Sequence, residues 1–388
     1  MVVRAPWVAA LLASTRAAAA DPIVDRDYAI ELYEGVAIGN TAQVGMGGAG
    51  AAVILGSAGA LLDAAAPAIR ETTDRSGWSW DYHLDFLTGK YSSDYDNNGV
   101  VARDTSGAQL LTAGLALRIG NWGTAITVTD QVAPVAGSSP ALEASALRGK
   151  LVVARWFPRL DLSAGVGVQT VGFALRPEGR GNDQALFALT GAGVLAGVTW
   201  LPREENYRAS VALESAIAGG QVTSSVCDPM NCMGYILPND VASPARMILG
   251  TAFRLSPTAW NQLVPTRFRD ERALTIATDV VFTGTSANAH GIEAFGMQQL
   301  QPSGRRISVS VRAGGELEAL PGRLRVRAGA YWEPGRFEDV DGRLHGTLGV
   351  DVRVFQFQLW GLRRGRISGI ADVAAAYRNI GLSVGFWH

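Results

Sequence analysis

The stretch RLRVRAGAYW, residues 323–332, sets Arg323, Arg325 and Arg327 on alternate positions with Leu324, Val326, Ala328 and Ala330 between them. Successive side chains of a β-strand point to opposite faces, so such a strand is greasy on one side and carries three like charges on the other. The same alternation runs through 306–316, where Ile307, Val309, Val311 and Ala313 oppose Arg306, Ser308, Ser310, Arg312 and Glu316. In 273–283 the apolar face is Leu274, Ile276, Val280 and Phe282, opposite Thr275 and Asp279. In 379–386 it is Ile380, Leu382, Val384 and Phe386.

Two architectures give this pattern. A soluble sandwich buries the apolar face and gives the polar face to bulk water, whereas a transmembrane barrel turns the apolar face to lipid and the polar face to a wet lumen. Connection lengths choose between them. From about residue 77 onward the connections at Gly120–Asn121, Pro158–Arg159, 201–206 and 320–322 are short. Those between them, at 88–107, 132–145, 175–184, 221–242, 285–304 and 333–343, are long. Short turns on one side and long loops on the other are the habit of outer-membrane barrels. One connection, 257–271, is long where a short turn is due. Near the end, Leu348, Val350, Val352 and Val354 give way to Phe355, Phe357 and Leu359 on the opposite phase, which predicts a strand boundary between 354 and 356. The reading is an all-β chain: a transmembrane antiparallel β-barrel of about fourteen strands.

Arginines facing lipid near the midplane would cost roughly 2–4 kcal/mol each. Arg323, Arg325 and Arg327 are therefore expected to face the lumen, opposed by carboxylates such as Glu316, Asp279 and Asp351. With Arg312 they are read as a charge ladder bracing the lumen, ahead of a direct ligand role.

The composition agrees. The chain has 388 residues, 48% of them hydrophobic, with a formal net charge of −1, so no basic field points to nucleic acid. Glycine is abundant at 46 residues, which suits tight turns and close strands rather than a helical bundle. Residues 1–20 read as a secretory signal: Arg4, a short apolar run over 7–13, and Ala18-Ala19-Ala20 before Asp21. Residues 41–62 carry no charge and could span a bilayer by length, but six glycines dilute them. A packed glycine-rich plug over 21–76, ahead of a barrel over 77–388, is expected instead.

The segment GMGGAGAAVILGSAGALLDAAAPAI, residues 45–69, resembles the N-terminal hatch of the long-chain fatty-acid transporter family of outer-membrane proteins, the FadL-like hydrophobic-compound channels. In that family a GMGGA-type run precedes an Asn-Pro-Ala signature; here Ala66-Pro67-Ala68 stands in its place. The stretches 310–337 and 243–257 are similar to later strands of the same family. The resemblance implies a lumen plugged by the hatch, with Gly45, Met46, Gly47, Gly48 and Pro67 at the plug. It also implies a monomer in the bacterial outer membrane. Fatty acids or other hydrophobic molecules would bind beside the hatch and leave sideways into the membrane. From the residues alone, ordinary tight turns account equally well for these glycines.

Other chemistry is sparse. The four histidines, His83, His290, His345 and His388, are isolated, with no metal-ligand spacing and no nucleophile motif. No cofactor and no enzymatic activity are expected, although a serine and a histidine brought together by folding would not show in the sequence. Cys227 and Cys232, in CDPMNC within a long loop, are expected to pair in an exported chain. The altered hatch signature keeps an alternative open: a barrel with a structural, adhesive or lipid-modifying role and no transport.

Overall fold

A computed structural model describes residues 21–32, 39–72, 76–89, 94–101, 108–181, 184–266 and 268–387. The signal expected over residues 1–20 and the terminal His388 lie outside them. Fourteen strands close into one antiparallel barrel. They are β1 (Trp78–Gly89), β2 (Gln109–Ile119), β3 (Trp122–Val135), β4 (Leu142–Phe157), β5 (Leu162–Pro177), β6 (Phe187–Trp200) and β7 (Tyr207–Glu214). The rest are β8 (Arg246–Leu255), β9 (Leu274–Thr283), β10 (Ser308–Leu320), β11 (Leu324–Glu333), β12 (Arg343–Gln358), β13 (Leu362–Ala374) and β14 (Tyr377–Phe386). Closure comes from β14 pairing with β1, with Leu382 opposite Phe86, so no barrel strand is left with a bare edge.

The apolar phase of each strand faces outward. Ile276, Val326, Leu348, Val350, Ile380 and Leu382 are all exposed on the wall, as a lipid-facing band requires. Trp78, Trp122, Trp200, Tyr207 and Trp360 stand exposed near the short-turn rim, where amphipathic rings suit a membrane–water interface. Among the described residues no helix is long and apolar enough to cross a membrane. The uncharged 41–62 segment instead folds inside the barrel as α1 (Thr41–Gly45), α2 (Gly56–Gly59) and the turns around them. A 3₁₀ turn at Ala66–Ala68 follows.

Two sequence expectations change. The phase flip near Val354 is no strand boundary: β12 runs on to Gln358, and the pairing register with β13 shifts between Arg353 and Phe355. A bulge there re-aims the side chains without a turn, and the turn itself falls at 359–361. The segment 21–32, read as part of the plug, lies in a cap over the long-loop end. There Ala29–Glu31 is the central strand of a five-stranded sheet made with Asp240–Ser243, Ala289–His290, Ile217–Ala218 and Pro302–Ser303. Tyr28, Ile30, Phe173, Phe187, Tyr235 and Phe295 form its buried apolar core. The long connection at 256–273 folds back to the plug, with Val264 N–H donating to the Thr72 carbonyl at 3.0 Å.

Candidate functional site

The plug is held by wall carboxylates aimed at its free backbone N–H groups. Asp85 Oδ1 accepts from Thr41 N at 2.8 Å and from Thr41 Oγ1 at 2.7 Å. Asp279 Oδ2 accepts from Gly50 N at 2.8 Å and Ala51 N at 3.0 Å. Asp81 Oδ2 accepts from Ser57 N at 2.9 Å and Ser57 Oγ at 2.8 Å. One clamp runs the other way: Asp63 of the plug accepts from the hydroxyls of Thr199 and Ser210 on the wall. Buried charge-assisted hydrogen bonds of this kind are among the stronger ones.

Gly47 shows why glycine is needed. It has φ +62°, and a Cβ there would stand 2.5 Å from Ala313 O and Ala330 N. Facing it, Gly314 and Gly329 would each drive a Cβ to within 2.3 Å of the Met46–Gly47 backbone. Plug and wall thus approach backbone to backbone. Gly45 closes α1, Gly48 has φ +75°, Met46 is fully buried and Pro67 lies in the middle of the 3₁₀ turn with its carbonyl against Gly123.

The arginines of the opening stretch divide. Arg327 makes a bidentate pair with Asp351, Nη1–Oδ1 at 2.6 Å and Nη2–Oδ2 at 2.7 Å, and donates Nε to Glu316 Oε2 at 2.7 Å. Arg366 reaches Asp351 Oδ2 at 2.8 Å, and Arg325 lies 3.4 Å from Glu318 Oε2 and 4.0 Å from Glu316 Oε1. Arg323 does not face the lumen. It sits exposed in the turn between β10 and β11, because the strand begins one residue after it. Asp279 stands opposite Arg312 in the β9–β10 register, while its hydrogen bonds go to the plug. Arg312 lines a smaller polar cavity of about 100 Å³ above the plug, with Arg148, Lys150, Glu214 and Arg246.

Sequence reading missed two groups. His345 lies between Asp372 (Nδ1–Oδ1 2.9 Å) and Glu333 (Nε2–Oε2 3.0 Å), stacked on Tyr331 with ring centroids 4.2 Å apart. The polar phase of β12 and β13 carried the only signal for it. Ser57 Oγ lies 2.9 Å from His83 Nδ1 and 2.8 Å from Asp81 Oδ2. A nucleophile relay places imidazole between hydroxyl and carboxylate; here the hydroxyl is in the middle, and the trio pins α2 to β1. Cys227 and Cys232 are joined as a disulfide with Cα atoms 5.1 Å apart. Among the described residues no three His, Cys, Asp or Glu side chains are placed to hold a metal ion.

The principal cavity, about 560 Å³, opens between the plug and the short-turn end of the wall. The plug contributes Met46, Val53, Ile54, Leu55, Pro67 and Ile69. The wall contributes the aromatic rings of Trp80, Tyr82 and Phe386, which pack edge to face at centroid distances of 4.7–4.8 Å for Phe386 against the other two.

These features define a plugged transmembrane β-barrel. No family model matches the sequence, and no curated protein does. Solved structures match the fold. A monoaromatic hydrocarbon channel, CymD, superposes with a TM-score of 0.55 at 13% identity over 91% of this chain and 97% of that one. The Pseudomonas putida toluene transporter TodX gives 0.55 at 13% identity over 90% and 98%. A Pseudomonas aeruginosa FadL homologue gives 0.51 at 13% identity over 91% and 97%. The chain has the fold of the FadL-like channels, as its plug and late strands implied.

Proposed function

We propose that this barrel carries hydrophobic molecules, long-chain fatty acids or similar compounds, inward across the bacterial outer membrane. The observation that carries the reading is the cavity beside the plug, walled in part by apolar plug residues and aromatic rings. Each methylene taken from water into such a wall contributes about 0.8 kcal/mol, whereas a wet pore offers a hydrophobe nothing. The solved channels of this fold include a toluene transporter and a monoaromatic hydrocarbon channel, which supports the same class of cargo.

Release is sideways in this proposal. β3 pairs without interruption with both neighbours. The register break between Arg353 and Phe355 lies beside cavity residues Arg364 and Arg366 and is the favoured exit. In this reading the chain acts as a monomer, as the family resemblance implied, and the role is transport rather than catalysis. The leader at residues 1–20 would export it.

The packed apolar cap at the long-loop end favours the second reading, a structural or adhesive barrel. Flux separates the two. Refolded protein in liposomes should admit a labelled long-chain fatty acid while retaining a small polar solute. Solute leakage would indicate an open porin, and no flux of either would leave the structural reading standing.

A further inference from the structure

The long connection after β1 carries a pattern that a barrel wall does not need. Residues 94–99 read DYDNNG, which is D-x-D-x-N-G, the opening half of an oxygen-donor loop for calcium. In such a loop positions one, three and five give side-chain oxygens, a glycine at six makes the sharp turn, and position seven gives its carbonyl. Here those positions are Asp94, Asp96, Asn98, Gly99 and Val100. Position twelve, where a glutamate closes the site, is Thr105, so the closing carboxylate has to come from elsewhere in the fold.

The loop is already wound into the required turn. Asp94 Oδ1 accepts from Asn98 N at 3.0 Å and Oδ2 from Gly99 N at 2.9 Å. Asn98 Oδ1 accepts from Val100 N at 2.7 Å, and Gly99 has φ +87°. A further carboxylate meets it from the cap: Glu293, on the short helix Ile292–Gly296, accepts at Oε2 from Asn98 Nδ2 at 2.6 Å.

Asp96 is the residue that points to a ligand. Its Oδ1 is shut away from solvent and meets no hydrogen-bond donor, while Glu293 and Asp94 act on it as like charges. Among the described residues no cation offsets the charge of Asp96 or Glu293. Arg343, whose charge Asp94 feels, donates to Glu333 and to the carbonyls of Asp94 and Tyr95. A buried carboxylate with neither donor nor counter-charge is strongly disfavoured, and a divalent cation supplies what it lacks. Among the described residues no three acidic side chains are already converged on one point. A calcium loop does not require that, since amide and main-chain carbonyl oxygens make up the six to eight ligands.

We propose that the 94–100 loop, closed by Glu293, binds one Ca²⁺ ion in the cap. Asp94, Asp96 and Glu293 bring carboxylate oxygens, Asn98 its side-chain oxygen and Val100 its carbonyl. Calcium suits this flexible set better than magnesium, which demands a near-ideal octahedron and keeps its water. The ion would staple several connections together. Asp94 N donates to Ala376 O at 2.7 Å, Asn97 Nδ2 to Asp341 O at 3.1 Å and Gln301 Nε2 to Asn98 O at 2.9 Å.

The test is calorimetric titration of calcium chloride into the full chain, stripped with EDTA, in nanodiscs of zwitterionic lipid at neutral pH. One ion should bind per chain with a Kd of about 10⁻⁴–10⁻³ M, the range of extracellular loop sites, and magnesium should bind more weakly. At a calcium concentration ten times that Kd, protease cleavage of the long loops should slow about tenfold. D96N should lose both the heat and the protection. Without calcium its loops should be cut no faster than those of the unaltered chain, because the amide removes a repelling charge. E293Q should weaken binding in the same direction. No calcium uptake by the unaltered chain overturns the proposal without recourse to any variant, and so does uptake that D96N leaves intact. Uptake that gives the loops no protection would place the ion outside the cap and also overturn it.

Discussion

Arg327 touches two carboxylates from two other strands, and it is 3% exposed. Removing one member of a buried charge network leaves the others uncompensated, at a cost of about 3–5 kcal/mol. Arg327→Met is therefore expected to lower barrel stability by that amount in urea titration, while Arg323→Met, in the exposed turn, should leave it unchanged. The lumenal placement of Arg325 and Arg327 was legible because lipid excludes charge. The misplacement of Arg323 was not avoidable from pattern alone, since a turn boundary one residue away moves a side chain out of the lumen. Gly47 makes a second case. With φ +62° and backbone 2.5 Å from an added Cβ, Gly47→Val should unseat the plug and abolish fatty-acid entry. The barrel should keep its resistance to dodecyl sulfate. Unchanged uptake in that variant would show that the plug contact does not serve transport.

Among elements, the cap is packed onto the wall, with Phe173 of β5 and Phe187 of β6 lying in its core. Its short helix α3 (Ile292–Gly296) carries Glu293, whose Oε2 accepts from Asn98 Nδ2 at 2.6 Å. Burial, with the Asp94 charge nearby, pushes the Glu293 carboxyl up to about 7 from its usual 4.5. Asp94 and Asp96 are raised in the same direction, again chiefly by burial. The folded cap thus keeps a proton that the unfolded loop releases at lower pH. Its stabilising effect is full below about 4.5 and is lost as pH rises through 7. Protease cleavage of the long loops should accelerate between pH 5 and 8, by about tenfold if 1.4 kcal/mol is lost. Glu293→Gln should flatten that profile. The Cys227–Cys232 disulfide belongs to this unit, with Cys232 buried in the cap core; closing so small a ring contributes about 2 kcal/mol in the chain-entropy account. The pairing was legible from two nearby cysteines in an exported chain. The cap sheet was not, because its strands are two to four residues long and too short to show a period.

At the scale of the whole molecule, the wall and plug are chemically complementary. Asp81, Asp85 and Asp279 reach inward to N–H groups that short, broken helices leave free, so the plug is seated by hydrogen bonds and by close backbone contact. Deleting residues 41–69 should leave a closed fourteen-stranded wall around a charged, wet lumen. Such a chain, reconstituted in planar bilayers, is expected to conduct ions where the full chain does not. Equal conductance in both would mean that the plug does not seal the pore.

The sequence by itself determined the wall. Lipid outside and water inside impose a period of two on every strand, and the cost of a charge in hydrocarbon makes that period strict enough to read. It also favoured a packed plug over a spanning helix for the uncharged, glycine-rich segment. Only the tertiary structure decided where the plug meets the wall, which carboxylates clamp it, and that residues 21–32 join the cap. Those facts depend on strand register and on contacts between residues far apart in the chain, and neither leaves a local pattern to read.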